Sequence, residues 1–125
     1  MRRRGFTLIE LLVVVVVLGI LAGFAMLKYS ATREKAYVAA MESDLRNLAV
    51  AQEAFFYDSA RYTTNLTAMA NFQPTAGVTI TVNEATAVGW SATASSSDTY
   101  EKCYVFSGTA TPVGSATNEG TIACS

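Results

Sequence analysis

The chain has 125 residues, a formal net charge of −1 and no histidine, and 51% of its residues are hydrophobic. This length allows one globular domain with a membrane anchor, but not two globular domains. The charge is uneven, because Arg2, Arg3 and Arg4 open the chain and the rest holds six basic against ten acidic residues. A mildly acidic body disfavours nucleic acid as a partner.

An uncharged segment follows these arginines. No charged residue occurs from Leu11 to Leu27, and a helix from Phe6 to Leu27 would rise ~33 Å, enough to cross the core of a bilayer. Basic residues directly before such a segment hold that end on the cytoplasmic side, so the body of the chain is predicted on the other side. A cleaved secretory signal is the alternative, but no polar break with small residues follows, and we interpret the segment as retained.

Glu10 is the exception within the apolar run. An ionised carboxylate in lipid costs several kcal/mol, so Glu10 requires a partner. A plain single-span anchor explains the arginines and the hydrophobicity. It does not explain Glu10.

Helical sequence continues beyond the apolar segment. One helical face is shared by five residues at steps of 4, 4, 3 and 7: Tyr37, Met41, Leu45, Leu48 and Phe55. A single helix is therefore predicted from about Thr7 to Tyr57, ~75 Å long if continuous. Its first half is apolar all round and its second half is amphipathic, so the two halves are expected to have different surroundings.

The remaining residues, 59–125, are rich in Thr, Ser, Ala and Gly. Asn65 is expected to cap a short helical turn over 66–70. Alternation at period two predicts strands at 78–82 and 88–92, a loop at 95–98, a third strand at about 100–107 and a final strand candidate at 121–124. The predicted fold is α+β: a long N-terminal helix on a small antiparallel β-sheet, whose polar face meets water.

Cys103 and Cys124 both lie near the C-terminus. In a chain whose body leaves the cytoplasm they are predicted to form a disulfide. Closing a loop of this length would stabilise the folded part after the helix by ~3 kcal/mol, because the disulfide lowers the conformational entropy of the unfolded chain. The alternative is a pair of buried free thiols.

The stretch Gly5-Phe6-Thr7-Leu8-Ile9-Glu10-Leu11-Leu12-Val13 resembles the class III signal of type IV pilins and the related pseudopilins. The resemblance covers residues 1–57 closely and reaches the head only as a layout of helix, loop, small sheet and C-terminal cysteine pair. It implies a leader at 1–5 that a prepilin peptidase removes after Gly5, and an N-methylated Phe6. It also implies a transmembrane and assembly segment at 6–27, an amphipathic helix at 28–58 and a globular head at 59–125.

Cleavage would give Phe6 an α-ammonium about one turn from Glu10. We therefore expect this cation to pair with the carboxylate, in the same subunit or in a neighbour, and in the family the pair is held to register subunits during assembly. Many of these pilins have a helix-kinking proline at the position of Leu27, and this chain has none. Gly19 and Gly23 have a small-xxx-small spacing, and we hypothesise that they supply a close helix contact or a local loosening. The alternative is that they are ordinary glycines of a membrane helix.

The resemblance implies a structural subunit of a type IV pilus, a homo-oligomeric helical filament. Its expected partners are the prepilin peptidase and methyltransferase, the inner-membrane assembly machinery, and the membrane before assembly; the assembled filament is extracellular. A type II secretion pseudopilin in a periplasmic pseudopilus is one alternative, and a membrane-tethered binding module is another. No enzyme activity, cofactor or metal is expected, because no nucleophile-and-base set or metal-ligand spacing occurs.

Three further motifs are weaker. Asp98 and Glu101 could bind calcium, as loop acids do in some secretion pseudopilins, but a solvated serine-rich loop is favoured. Asn65-Leu66-Thr67 matches a glycosylation sequon of a length that arises often by chance. Arg61 and Lys102 are the cations of the head, too few for a nucleic-acid surface.

Overall fold

The computed structural model describes residues 4–125, which form two compact units. The first unit ends at Arg33, and the second covers Glu34–Ser125. Arg2 and Arg3 of the predicted basic cluster lie outside the described residues, as does Met1 of the predicted leader.

Helix α1 covers Leu8–Ser59 and contributes to both units. This confirms the predicted single helix, with ends one and two residues from the predicted ones. In the first unit every described residue is exposed, including the whole uncharged segment. The helix is long and apolar enough to cross a membrane by length and composition. Within residues 4–33, no part of the first unit therefore buries its apolar surface.

The second unit packs one face of α1 against the sheet. Met41, Leu45 and Leu48 are fully buried, and Tyr37 and Phe55 at the two ends of the predicted face are half-buried. This confirms the predicted face, because residues at steps of three and four project from the same side of a helix. The outer two are less covered because they lie near the margins of the contact.

Four antiparallel strands form the sheet in the order β1-β2-β3-β4. They are β1 (Val78–Ala85), β2 (Gly89–Ser96), β3 (Cys103–Gly108) and β4 (Ala123–Cys124). The α+β fold is thus confirmed. Several boundaries differ from the predicted ones. β1 runs on to Ala85, and Ser95 and Ser96 belong to β2 because they pair with Thr79 and Val78 of β1. The third strand begins only at Cys103, beyond the exposed Tyr100, and the last covers only Ala123–Cys124.

The core lies between α1 and the inner face of the sheet. Trp90 is its largest member, with 1% of its surface exposed. The strands add apolar side chains at alternate positions: Val78, Ile80, Val82, Ala92, Ala94, Cys103 and Val105. This alternation follows from the pleat, which points successive side chains to opposite faces.

The outer face of the sheet carries a second, smaller core. Phe106, Ala110 and Ala116 are buried together, with Tyr104 and Ala123 packed against them. Ser91, the cross-strand partner of Phe106, is also buried. The expectation that the outer face simply meets water is therefore wrong at β3. The segment after β3 covers it, because Tyr104 and Phe106 on this face are large apolar groups that gain from burial.

Two buried polar side chains of α1 hold the loop between the helix and β1. Gln52 donates to the carbonyl of Thr63 at 2.7 Å and accepts from its N–H at 3.1 Å. Asp44 accepts from the N–H of Thr75 at 2.8 Å and from its hydroxyl at 2.9 Å. Buried polar groups are costly without partners, so these bonds fix both ends of the loop on the helix.

Candidate processing and assembly site

The bond predicted to be cut lies ahead of the helix. Residues 4–7 adopt no regular secondary structure, and Gly5 and Phe6 are both exposed. A Cβ built on Gly5 would meet no atom within 4 Å. The Gly5–Phe6 peptide is thus in a non-helical, uncrowded stretch that an enzyme can approach closely. Cleavage there stays a prediction.

Helix α1 begins at a capping box formed by Thr7 and Glu10. The N–H of Glu10 donates to Oγ1 of Thr7 at 3.2 Å, and the N–H of Thr7 donates to Oε2 of Glu10 at 3.5 Å. Such reciprocal bonds satisfy two of the backbone donors that a helix leaves unpaired at its start. The Glu10 carboxylate also lies in the first turn, where the helix dipole favours negative charge.

Sequence reasoning missed this role of Glu10. The signal was present, because a Thr followed three residues later by a Glu before an apolar run is the pattern of a capping box. In the uncleaved chain the nitrogen of Phe6 is a peptide nitrogen, so the predicted α-ammonium does not yet exist. The pairing of Phe6 with Glu10 therefore stays a prediction for the processed subunit.

Gly19 and Gly23 lie on an exposed, apolar strip of the first unit. A Cβ at either position would meet nothing within 4 Å beyond the helix itself. Together with Ile20, Phe24 and Leu27 they line an open groove of about 260 Å³. The strip is accessible to another helix, as the small-xxx-small spacing predicts. The role of the two glycines in assembly stays a hypothesis.

Cys103 and Cys124 form the predicted disulfide. They are cross-strand partners in β3 and β4. The adjacent Lys102 and Ser125 exchange two backbone hydrogen bonds of 3.0 Å. The disulfide and this pair of bonds tie the C-terminal end of the chain to the edge of the sheet.

The weaker motifs have local structural roles. The side chain of Asn65 accepts from the N–H and the hydroxyl of Thr67 and caps a 3₁₀ helix at Leu66–Ala68. In the loop with Asp98 and Glu101, the N–H of Asp98 donates to the hydroxyl of Ser96, and the N–H of Glu101 donates to the hydroxyl of Thr99. The hydroxyl of Thr99 in turn donates to the carboxylate of Glu34 in α1 at 3.1 Å. Within residues 4–125, no group of three or more acidic, cysteine or histidine residues is placed to hold a metal ion.

Comparison with known proteins identifies a sequence motif at the N-terminal end of the chain. Residues 1–26 match the family described as the prokaryotic N-terminal methylation motif. The chain is 39% identical over 61 residues to the type IV major pilin protein PilA of Myxococcus xanthus (strain DK1622), covering 49% of this chain and 28% of that protein. It is 41% identical over 63 residues to the type II secretion system core protein G of Klebsiella pneumoniae, covering 50% and 45%.

The chain is also 38% identical over 63 residues to the type II secretion system core protein G of Dickeya chrysanthemi, covering 50% of this chain and 41% of that protein. Each match covers less than half of the relative's length. The matched parts are 61 to 63 residues long, about half of this chain. The chain therefore carries a prokaryotic N-terminal methylation motif and is homologous, over about half its length, to a type IV major pilin and to type II secretion core proteins.

Proposed function

We propose that the chain is a structural subunit of a type IV pilus filament, without catalytic activity of its own. One observation carries this proposal: the described residues of the first unit include a long apolar helical stretch that is exposed throughout. Such a surface is stable in a bilayer or against other apolar helices, but not in water. A subunit that moves from membrane to filament satisfies both conditions.

Processing is proposed to follow the motif. A prepilin peptidase cuts after Gly5, a methyltransferase modifies Phe6, and the processed subunit waits in the inner membrane. The assembly machinery of that membrane then adds it to an extracellular filament. The exposed, non-helical Gly5–Phe6 bond supports this proposal.

Assembly is proposed to exchange one partner of Glu10 for another. In the uncleaved chain its carboxylate accepts from the backbone of Thr7. In the filament it would bind the α-ammonium of Phe6, a stronger charge-assisted interaction where water is excluded. The groove beside Gly19 and Gly23 would admit a neighbouring helix.

A second candidate function is a type II secretion pseudopilin in a periplasmic pseudopilus. The 41% identity to a type II secretion core protein G favours it directly. The two functions share the same N-terminal chemistry and differ in where the polymer forms. The match to a type IV major pilin and the C-terminal disulfide support the pilus as the first choice.

One experiment separates these functions. The full chain is expressed with its prepilin peptidase, surface filaments are sheared off and purified, and their N-terminus is sequenced. Long surface filaments starting at Phe6 are the expected result. Cleavage without surface filaments would favour the pseudopilin. An intact Met1 under these conditions would contradict both and leave a membrane-tethered binding module.

A further inference from the structure

The two sulfurs of the disulfide in the second unit have different surroundings. Cys103 belongs to the core between α1 and the sheet and is 0% exposed, whereas Cys124 in strand β4 is half-buried. A thiol reduces a disulfide by direct attack of its thiolate on one sulfur, through a mixed disulfide. Cys124 is therefore the sulfur that a thiol from solution can reach.

The side chain of Glu42 in α1 lies beside that sulfur. Its Oε1 is 3.7 Å from Sγ of Cys124, although the two residues are 82 positions apart in the chain. A disulfide sulfur has no hydrogen to donate, so this is a contact and not a hydrogen bond. The fold thus places a carboxylate oxygen within 4 Å of the accessible sulfur.

Neighbouring cations offset this charge only in part. The guanidinium of Arg46 lies 3.5 Å from Oε2 of Glu42, so the ion pair turns its negative end, Oε1, toward Cys124. The Arg46 side chain is also 69% exposed, against 38% for Glu42, and water screens it more strongly. Lys102 is exposed and precedes Cys103, so alternation along the chain directs its side chain to the other face of the sheet.

We propose that Cys124 is the site at which external thiols attack the disulfide, and that Glu42 makes this site selective against anionic thiols. In the first step a thiolate forms a bond to Sγ of Cys124, the S–S bond breaks, and Cys103 leaves as a thiolate that takes up a proton. A second thiolate then attacks the mixed disulfide and releases Cys124 as a thiol. The protein disulfide gains two electrons, and two external thiols are oxidised to one disulfide.

Burial and charge both protect the disulfide in this scheme. Departure of Cys103 leaves a thiolate in an apolar site, where desolvation disfavours charge. The Glu42 carboxylate adds a repulsion that grows with the negative charge of the attacking thiol. For a unit charge at such a distance in water, this repulsion corresponds to roughly 5-fold in rate. The inference is independent of the filament function, because every group involved lies in the second unit.

Reduction rates of the full chain with three thiols test the selectivity. Apart from the sulfur, 2-mercaptoethanesulfonate is anionic, 2-mercaptoethanol is neutral and cysteamine is cationic. The chain is kept in an uncharged detergent at ~0.1 M ionic strength, where the Debye length is ~10 Å. Each variant is compared with the parent for the same thiol, which cancels the intrinsic reactivity of that thiol.

Glu42→Gln is expected to raise the rate with the anionic thiol by roughly 5-fold, to raise it less with the neutral thiol, and to leave it nearly unchanged with the cationic thiol. At ~1 M salt these differences should disappear, because the Debye length falls to ~3 Å. Equal acceleration with all three thiols would show that Glu42 only holds β4 in place. That result would overturn the proposal, as would unchanged rates with all three.

Two further variants control for the charge. Arg46→Gln removes the cation that offsets Glu42, so it should slow the anionic thiol, and acceleration of that thiol would contradict the proposal. Glu53→Gln removes the same charge from the same helix, but ~16 Å further along α1 and beyond the Debye length. It should leave all three rates at the parent's values, and an effect equal to that of Glu42→Gln would overturn the proposal.

The attacked sulfur is identified separately. The parent is treated briefly with 2-mercaptoethanol, quenched with N-ethylmaleimide and analysed by mass spectrometry of its peptides. The mixed disulfide is expected on Cys124, with N-ethylmaleimide on Cys103. The reverse placement would overturn the assignment of Cys124 as the site of attack.

Discussion

Two regions of one continuous helix differ in what surrounds them. In the first unit α1 is apolar and exposed on every side, whereas in the second unit the same helix buries one face on the sheet. Leu21 is 59% exposed and Leu45 is fully buried, although both are leucines within helix α1. The difference in burial therefore comes from whether the sheet packs against the helix, and not from the secondary structure.

This contrast fits the proposed function, which needs a chain that both folds stably and polymerises. The second unit supplies its own core, held by the disulfide and by the buried bonds of Asp44 and Gln52. The described residues of the first unit form no core, so under the proposed function their apolar surface is covered by lipid or by other copies. Substitutions in the second unit should therefore act on folding, and substitutions in the first unit on assembly.

The largest expected effect is at Glu10. Glu10→Val should leave membrane insertion and cleavage intact but abolish filaments, because removing one member of a buried charge pair costs about 3–5 kcal/mol. Sheared filament yield and N-terminal sequencing measure the two steps. Glu10→Gln is the control, because glutamine keeps the capping box but not the charge. We expect it to fail in assembly too, and normal polymerisation of either variant would show that the charge is incidental.

Matched leucine substitutions test the contrast directly. Leu45→Ala should lower the free energy of unfolding of the second unit by about 2–5 kcal/mol, because it leaves a cavity in the core. Leu21→Ala should change that free energy by less than about 0.5 kcal/mol and reduce filament yield instead. Denaturant unfolding in detergent, followed by the fluorescence of Trp90, gives both values. Equal losses of folding stability from the two substitutions would refute the division of roles.

Loss of the disulfide should also act on the second unit alone. The Cys103→Ser, Cys124→Ser double variant is expected to lose about 3 kcal/mol of folding stability on the chain-entropy view, since the disulfide closes a separation of 21 residues. Chemical denaturation compares it with the parent. Cleavage after Gly5 should proceed at the parent's rate, and a defect in processing would show that the two units are coupled.

A smaller effect is expected at the two glycines. Gly19→Ala with Gly23→Ala should strengthen the helix by about 1 kcal/mol at each position while narrowing the groove of the first unit. Filaments of the double variant should therefore disassemble at lower temperature or detergent concentration, although the isolated helix is more stable. Unchanged filament stability would contradict the hypothesis that Gly19 and Gly23 supply a close contact with a neighbouring helix.

The smallest effect is a pH dependence at Tyr62. Burial raises the pKa of its hydroxyl above the usual 10.0, and the hydrogen bond to Glu53 and the charges of Glu53 and Glu119 add to this. The folded state thus holds the proton more tightly, so its stabilisation is complete below about pH 10 and is lost as pH rises through the higher folded pKa. Tyr62→Phe should lose less stability between pH 9 and pH 12 than the parent, measured by urea unfolding. Equal losses of folding stability in Tyr62→Phe and the parent would show that Tyr62 does not cause this pH dependence.

Periodicity was sufficient to predict the main elements of this fold. The steps of three and four in α1 placed Met41, Leu45 and Leu48 on the buried face, and period-two alternation located β1 and β2. These signals are local, because each depends on residues within a few turns or one strand. The disulfide was predictable from the inferred compartment and a count of two cysteines.

Features that depend on distant partners were not predicted. Asp44 and Gln52 look like surface residues of a helix, and their partners lie 31 and 11 residues away. The cover over Phe106 comes from a Gly- and Thr-rich segment that has no periodic pattern to read. At the candidate site, the motif located Gly5, Phe6 and Glu10, but the capping bonds of Thr7 went unnoticed because Glu10 was considered only as a charge.

The central claim is that the exposed apolar half of α1 finds its cover against other copies of the chain. A helical reconstruction of purified filaments by electron cryomicroscopy tests it most directly. We predict that the segments Leu11–Leu27 of neighbouring subunits pack together at the filament axis, with the sheets outside and each Glu10 carboxylate beside the α-ammonium of a Phe6. Filaments held together by their heads alone, with the N-terminal helices exposed or Glu10 facing water, would contradict the account.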